Sequence, residues 1–318
     1  MLRYICLRVL KGAVTFLVAV TLTFLIIRLL PGDPTTAFIS DSLTPQDAEA
    51  IKVSFGLDKP MPVQYVIFLR NLFKLDLGYS FFYKDSVMSI LGNRLWWTLL
   101  LMVSSLGLTL LIGIPLGVYA AKHKGKFLDQ AINVFVTIGI SIFVPLLAFG
   151  LLYIFSYKLR LTPVGGAYTP GGTSSGMFLD VVRHLILPCV TLVILYLASI
   201  VLYTRNSMLD VLKEDYIRTA RAKGVNNRIV TWGHALRNAM IPTVTVTGLM
   251  LGKMVAGAVL TETVFSWPGI GTMIYDAVQK QDYPLLQGAF LLLAFSVIVM
   301  TLITDLIVAA LDPRIKLN

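Results

Sequence analysis

Few residues of this sequence stand in patterns that carry chemistry. A phosphate-binding P-loop reads G-x-x-x-x-G-K-[ST], because backbone amides and a lysine must surround the phosphates. The two Gly-Lys pairs, Gly125-Lys126 and Gly252-Lys253, lack both the earlier glycine and the following Ser or Thr. The pattern H-E-x-x-H is also missing, and the 3 histidines stand far apart. We therefore expect no catalytic residue, no metal site and no directly bound cofactor, so the chain is not expected to be an enzyme.

The most specific pattern lies in a polar segment, residues 205–239. Within it, Asp215–Gly224 places small side chains beside basic ones. This pattern predicts a short helix that ends at Gly224, since glycine commonly ends helices. Small side chains would let another protein approach closely, a feature that the alternative, a basic loop attracted to anionic lipid, does not need. The residues predicted to contact the partner are Asp215, Tyr216, Thr219, Ala220, Arg221, Ala222, Lys223 and Gly224.

Three ionisable residues stand inside or beside long apolar stretches: Arg28, Lys253 and Asp305. A charge at the centre of a membrane helix costs roughly 2.5–3.5 kcal/mol, so such residues usually face protein or water. Arg28 is near the end of its stretch and can reach the interface. Lys253 has two interpretations. It could line a transport pathway and meet a substrate carboxylate, or it could form a structural pair with Asp305.

The composition places most of this chain in lipid. Of 318 residues, 56% are hydrophobic and 14% are charged, whereas a soluble domain has about 25% charged residues. A bilayer-spanning helix needs roughly 20 apolar residues. Six stretches qualify, approximately Val9–Leu30, Leu95–Ala121, Ala131–Tyr157, Leu185–Tyr203, Met240–Leu260 and Leu286–Leu311. Pro242 is expected in the first turn of the fifth.

The basic residues predict the orientation in the membrane. The formal charge of +10 is not spread evenly: with the N-terminus inside, Lys and Arg concentrate in the inside segments, and the outside segments are balanced. This asymmetry predicts that both termini are cytoplasmic, and it explains the charge without a nucleic-acid partner. We expect residues 1–30 to form a cytoplasmic segment and a retained first span. Residues 31–94 would form an external region and residues 95–318 the core transmembrane domain.

Two external regions have predicted local structure. In Pro31–Arg94, Thr44 and Pro45 suit a helix start, so we expect small interfacial helices there. Residues 165–172 form a glycine-rich turn. The segment after the fifth stretch contains Glu262, Trp267, Pro268 and Gly269. It is predicted to be an element beside an external gate, with headgroup anchoring by Trp267 as the alternative.

These segments together resemble a known family. The polar loop is similar to the coupling loop of binding-protein-dependent ABC importers, and the chain as a whole resembles their oligopeptide/dipeptide/nickel permease family, first (B-type) subunit. The matching motifs are Leu30-Pro31-Gly32-Asp33-Pro34, Phe55-Gly56-Leu57-Asp58-Lys59-Pro60, Pro62-Val63-Gln64-Tyr65, Asp76-Leu77-Gly78, Glu262–Gly271, Asp305 and Leu311-Asp312-Pro313-Arg314. One departure concerns the coupling loop, where the broad pattern has an acid at the position of Arg218. Asp215, one turn earlier, is the candidate replacement.

The resemblance implies an all-α membrane protein with six transmembrane helices and the type I ABC importer fold, in the bacterial inner membrane. It also implies a second homologous permease, two ATP-binding subunits that hold ATP and Mg²⁺, and an extracytoplasmic solute-binding protein. The expected function is ATP-dependent import of peptides by alternating access. Nickel, metal chelates or metallophores, and glutathione are alternative substrates. A secondary transporter driven by an ion gradient and a membrane enzyme are the alternatives from other classes.

Overall fold

The described chain is almost entirely helical. A computed structural model describes residues 2–29, 59–80, 82–171 and 176–311. In chain order the helices are α1 (Leu2–Leu29), α2 (Met61–Phe73), α3 (Val87–Lys122), α4 (Phe127–Ser141), α5 (Val144–Leu151), α6 (Met177–Val211), α7 (Asp215–Ala222), α8 (Asn227–Ile229), α9 (Leu236–Val264), α10 (Ile270–Gln279) and α11 (Tyr283–Leu311). Two π-helical segments, Leu152–Lys158 and Val230–Ala235, continue α5 and lead into α9.

Four of these helices, α1, α3, α6 and α11, are each long and apolar enough to cross a bilayer. Helix α4 together with α5 and its π-helical extension makes a fifth candidate span, but the two parts are bent by 104°. The prediction of one continuous helix over Ala131–Tyr157 is therefore wrong. The break lies just before Pro145, and proline is tolerated in the first turn of a helix but not in its interior.

Helix α9 covers the fifth predicted stretch but begins earlier than expected. It follows directly from the π-helical segment, so Pro242 lies inside the helix rather than in its first turn. That prediction is wrong because packing extends the helical chain toward its N-terminus. Val230, Ala235 and Ala239 are fully buried on the chain that precedes Pro242, and their burial favours helix there.

Small residues allow a close helix crossing in the core. Gly113 and Gly117, one turn apart on α3, face α6. A Cβ atom at Gly117 would lie 2.6 Å from Cβ of Thr204, and one at Gly113 would lie 2.8 Å from Cγ2 of Ile200. This G-x-x-x-G spacing lets two membrane helices approach backbone to backbone. The central apolar core surrounds this crossing and includes residues of α3, α6 and α9.

The region between α1 and α3 contains a short helix and a hairpin. Helix α2 packs on α1 through Phe24, whose ring is 5.2 Å from that of Tyr65, and through Arg28, which donates to Gln64 at 2.8 Å. This helix fits the expectation of small helices in this region, whereas the helix start predicted at Thr44 and Pro45 lies outside the described residues. The strands β1 (Tyr79–Ser80) and β2 (Asp85–Ser86) form an antiparallel pair, which is a small departure from the predicted all-α fold.

Candidate functional site

Helix α7 lies across the ends of three long helices. Ile217, on its inner face, is fully buried. The apolar cluster beneath α7 draws on α3, α6, α7, the π-helical segment and α9, and consists of Val118, Ala121, Met208, Ile217, Val230, Ala235 and Ala239. Close-packed side chains transmit displacement rather than absorb it. A push on α7 therefore acts on α3, α6 and α9 together.

The local sequence accounts for both ends of α7. Asp215 in the first turn and Arg221 in the last complement the helix dipole. After the helix, Gly224 has φ +77°. Its N–H donates to Arg221 O at 3.0 Å, and the N–H of Val225 donates to Ala220 O at 3.2 Å, which together form a Schellman motif. The predicted helix that stops at Gly224 is confirmed.

The two small residues of α7 lie in different surroundings. Ala222 is exposed, whereas Ala220 is half-buried and packs against the cluster that surrounds Ile217. Close approach by a second protein would therefore occur over Ala222. Thr219, Lys223 and the other residues predicted to contact a partner, apart from Ala220, lie on the exposed side.

Two exposed apolar residues beside α7 were missed by the sequence reasoning. Ile229 is 56% exposed and Trp232 is 47% exposed, although both stand in an otherwise polar loop. Tyr216 on α7 is exposed as well, and its hydroxyl accepts from Asn238 Nδ2 at 2.7 Å, which ties α7 to α9. The signal in the sequence was the presence of apolar residues three apart inside a polar segment. Aromatic residues are enriched where proteins bind one another.

The last turn of α9, at the end opposite to α7, contains a buried carboxyl group, that of Glu262. Glu262 is fully buried. Its Oε1 accepts from the hydroxyl of Thr98 on α3 at 2.7 Å, and its Oε2 accepts from the N–H of Gly271 on α10 at 2.6 Å. The same Thr98 hydroxyl accepts from the N–H of Ile270 at 2.9 Å. Glu262 and Thr98 therefore join α9, α3 and α10 at one point, and Thr98 was not among the predicted residues.

Two positions near Glu262 require glycine because neighbouring atoms leave no room for a side chain. A Cβ atom at Gly269 would overlap the Glu262 carboxyl group, and one at Gly271 would overlap the Val259 backbone. The turn at residues 265–269, named here the WPG turn, can therefore close over Glu262 only with glycine at these positions. The backbone of these glycines lies against the Glu262 carboxyl group, in space that a side chain at either position would occupy.

Trp267 is a buried part of the WPG turn. Its side chain is fully buried, and its indole N–H donates to Trp97 O at 3.0 Å. The rings of Trp97 and Trp267 meet edge to face at 5.6 Å. The alternative that Trp267 anchors at lipid headgroups is therefore wrong, because its ring lies inside the subunit. Pro268 and Gly269 complete the turn, and Gly269 N–H donates back to Trp267 O at 2.7 Å.

The glycine-rich loop packs on the same turn. Gly166 N–H donates to Phe265 O at 3.0 Å, and a Cβ atom at Gly165 would lie 2.9 Å from that oxygen. The predicted turn at residues 165–172 thus has a packing role where it is described. It holds the connection between α5 and α6 against the WPG turn.

Two of the three ionisable residues predicted within the apolar stretches, Asp305 and Arg28, have partners in the structure. Asp305 on α11 pairs with Arg8 on α1, with 2.8 Å between Oδ2 and Nη1. Arg28 contacts Gln64 and lies 5.3 Å from the centre of the Phe24 ring. Lys253 lies in the middle of α9, and its side chain is outside the described part of the structure.

A partly buried ion pair that sequence reasoning missed joins α4 to α6. Arg205 donates to both carboxylate oxygens of Asp129, at 2.6 and 2.8 Å. Gly125 N–H adds a third hydrogen bond to Asp129 at 2.9 Å. This bidentate geometry is the strong form of the Arg–carboxylate pair. No local pattern indicates it, because the two residues are 76 positions apart.

The hairpin is attached to the connection between α10 and α11 by acidic residues. Asp282 accepts from the Ser80 hydroxyl at 2.5 Å and from Leu285 N–H at 3.2 Å. Burial raises the pKa of the Asp282 carboxyl above its ordinary value of 3.8. Tyr83 donates to Asp276 at 3.0 Å, and its burial next to that carboxylate raises the pKa of the phenol.

Several long apolar helices around a shared core, with one amphipathic helix seated across their ends, define a multi-pass membrane protein. The model of the family described as binding-protein-dependent transport system inner membrane component matches residues 113–317, and the model of that family's N-terminal part matches residues 1–103. The chain belongs to this family of bacterial inner-membrane transport proteins.

Relatives that are named as peptide permeases match this chain over its full length or nearly so. The chain is 41% identical over 321 residues to a putative peptide permease protein of Brucella suis biovar 1, with 100% of both chains covered. It is 38% identical to the dipeptide transport system permease protein DppB of Escherichia coli K12, with 99% of each covered. It is 39% identical to the oligopeptide transport system permease protein AppB of Bacillus subtilis, with 99% of this chain and 100% of that protein covered.

A solved structure shares the fold. An inward-facing form of the MetNI methionine ABC transporter superposes with a TM-score of 0.59 at 19% identity, over 71% of this chain and 97% of that chain. The membrane domain is thus of the type found in this importer. At this identity the likeness concerns the fold alone.

Proposed function

We propose that this chain is one of two permease subunits in an ATP-driven importer of di- and oligopeptides. A second homologous permease, two ATP-binding subunits and an external solute-binding protein would complete the complex. The family description and the peptide names of the full-length relatives support this assignment. ATP and Mg²⁺ would bind to the partner subunits, since this sequence has no P-loop.

The proposed topology has six spans, with both termini and α7 in the cytoplasm. The spans would be α1, α3, the bent pair of α4 and α5, α6, α9 and α11. Three basic side chains, Arg218, Arg221 and Lys223, are exposed on or directly after α7. Positive charge beside membrane helices favours the cytoplasmic side, so these residues support placing α7 there.

The observation that carries the proposal is the way in which α7 packs on the long helices. An eight-residue helix with a buried inner face and an exposed outer face lies on the ends of α3, α6 and α9. Such a helix can accept a partner on one face and transmit its movement through the other. The partner subunits would therefore move three membrane helices at once through Ile217 and its neighbours. Packed helices switch between discrete arrangements, which suits alternating access.

Two rigid helices link α7 to the WPG turn. On α3, Thr98 contacts Glu262 and Val118 lies beneath α7, about 30 Å apart along the helix at 1.5 Å per residue. On α9, Glu262 and Ala239 are about 35 Å apart by the same measure. We infer that the WPG turn, with Glu262, Trp267, Pro268 and Gly269, is an external gate element. It would open and close as α3 and α9 move relative to each other.

Lys253 is proposed to line the substrate pathway. Thr245 and Leu249 are exposed on α9, and Lys253 follows Leu249 after one further turn. A cation at this register would meet the carboxylate that every peptide carries. Lys253→Met should therefore raise the substrate concentration needed for half-maximal uptake, whereas Lys253→Arg should not. Equal uptake curves for Lys253→Met and the native protein would contradict the pathway role.

The docking role of α7 can be tested without disturbing the fold. Ala222 is exposed, so Ala222→Trp adds bulk only to the outer face of α7. In proteoliposomes that contain the whole complex, this variant should lose peptide uptake and the stimulation of ATPase activity by loaded binding protein. Lys124→Trp is the control, since it places the same tryptophan side chain at an exposed position on the α7 side of the molecule but outside α7. Full coupling in Ala222→Trp would refute the proposal.

A further inference from the structure

A groove between α1 and α11 lies apart from both sites described above. Its cavity volume is about 550 Å³, and apolar side chains such as Phe16, Phe295 and Ile298 line most of it. Its floor is closed where α1 approaches α11, since a Cβ atom at Gly12 would lie 3.2 Å from Ile298 Cγ2. The groove opens on the face of two helices that are long and apolar enough to cross the bilayer.

One end of the groove is cationic. Arg8 and Lys11 lie there on α1, with Asp305 on α11. The Arg8–Asp305 ion pair neutralises one of the two cations, so the three side chains together carry one net positive charge. From Asp305 to Phe295 the groove extends ten residues along α11, or about 15 Å at 1.5 Å per residue.

The cationic end lies at the level of a membrane interface. Helix α11 has 29 residues, so it is about 43 Å long, whereas the hydrocarbon core is about 30 Å thick. Asp305 is six residues before its end, close to one boundary of that core. Because α9 and α11 run in opposite directions, this boundary is on the α7 side, which is the cytoplasmic leaflet in the proposed orientation.

We propose that this groove binds one anionic phospholipid, with its phosphate at Lys11 and Arg8 and an acyl chain along Phe16 and Phe295. An apolar channel that opens to lipid and carries a net positive charge at headgroup level has the chemistry of such a ligand. Basic pockets between membrane helices on the cytoplasmic side commonly bind anionic headgroups. Only the choice of leaflet rests on the proposed function, and the binding itself does not.

The test uses the detergent-solubilised complex and native mass spectrometry. Dissociation constants for the first bound dioleoyl-phosphatidylglycerol and dioleoyl-phosphatidylcholine are measured in parallel. We expect tighter binding of phosphatidylglycerol, and we expect Lys11→Ala to reduce that preference about fivefold, as the loss of one basic residue near a headgroup implies. Lys126→Ala, which removes an exposed cation on the same side, should leave the preference unchanged.

A second variant tests the groove itself rather than its charge. Ala13 lines the groove and is exposed, so Ala13→Phe should fill the acyl-chain channel and weaken both lipids without changing the charge. Phosphatidylglycerol binding that is unaltered in both Lys11→Ala and Ala13→Phe would overturn the proposal. Because binding is read out without ATP or peptide, this result is independent of whether the chain imports peptides.

Discussion

The hydroxyl of Thr98 should carry much of the stability of the WPG turn. In Thr98→Val the side chain keeps its shape but loses the donor to Glu262 Oε1 and the acceptor for Ile270 N–H. A hydrogen bond contributes about 0.5–1.5 kcal/mol, and up to about 3 kcal/mol where the acceptor is charged, whereas a buried N–H left without a partner costs about 1–3 kcal/mol. We expect Thr98→Val to lower the free energy of unfolding by roughly 2–5 kcal/mol.

A matched variant separates the hydroxyl from the packing. Thr98→Ser retains both hydrogen bonds and removes one methyl group, which is worth about 0.8 kcal/mol. Unfolding would be followed by titration with a denaturing detergent in mixed micelles, with tryptophan fluorescence as the signal. Trp97 and Trp267 report directly on this region, since their rings are 5.6 Å apart. If the valine and serine variants lose the same free energy, the hydrogen bonds do not stabilise the turn and the reasoning fails.

Three further predictions follow from other contacts. Gly117→Val should destabilise the protein by about 1–3 kcal/mol by overpacking the crossing of α3 and α6, whereas Gly107→Val, where a Cβ atom meets nothing within 4 Å, should have little effect in the same titration. Asp282→Asn should remove one pH-dependent contribution: since the folded pKa of Asp282 is raised, its contribution to stability is fully present below pH 3.8 and is lost as pH rises through the raised pKa. Thermal unfolding at several pH values should show the native protein losing stability relative to the variant as pH rises above 3.8, and parallel profiles for the two proteins would contradict the assignment. Asp129→Ala should lower the free energy of unfolding by about 1–3 kcal/mol because Arg205 loses both hydrogen bonds to the carboxylate, and adding Arg205→Met should recover most of that loss in the same titration.

Hydropathy alone predicted the long helices well. The apolar runs that became α1, α3, α6, α9 and α11 are local properties, because a bilayer requires about 20 consecutive apolar residues. Helix ends were less predictable. Helix α3 begins at Val87 rather than near Leu95, since Val87 and Ile90 pack against α10 and α11. That packing depends on residues nearly 200 positions away in the sequence.

Charge partners were the least predictable feature. Asp305 was considered as a partner for Lys253, yet it pairs with Arg8 at the far end of the chain. The pairing of Asp129 with Arg205 was not predicted, because neither residue stands in a pattern that indicates its partner. Two charged residues can pair only if their helices lie side by side. Hydropathy predicts where the helices are in the sequence but not which of them are neighbours.

The structure of the WPG turn could be predicted from the sequence only in part. In the sequence, Glu262, Trp267, Pro268 and Gly269 suggested an element beside a gate, with anchoring by Trp267 as the alternative. Only the fold shows that the glycines make room for the Glu262 carboxylate and that Trp267 points inward. The sequence treated the turn and α7 as separate sites, but α3 and α9 each contact both. We therefore propose that the two sites form one mechanical unit, in which a displacement of α7 that moves these two helices apart strains the Thr98–Glu262 hydrogen bond at the opposite end.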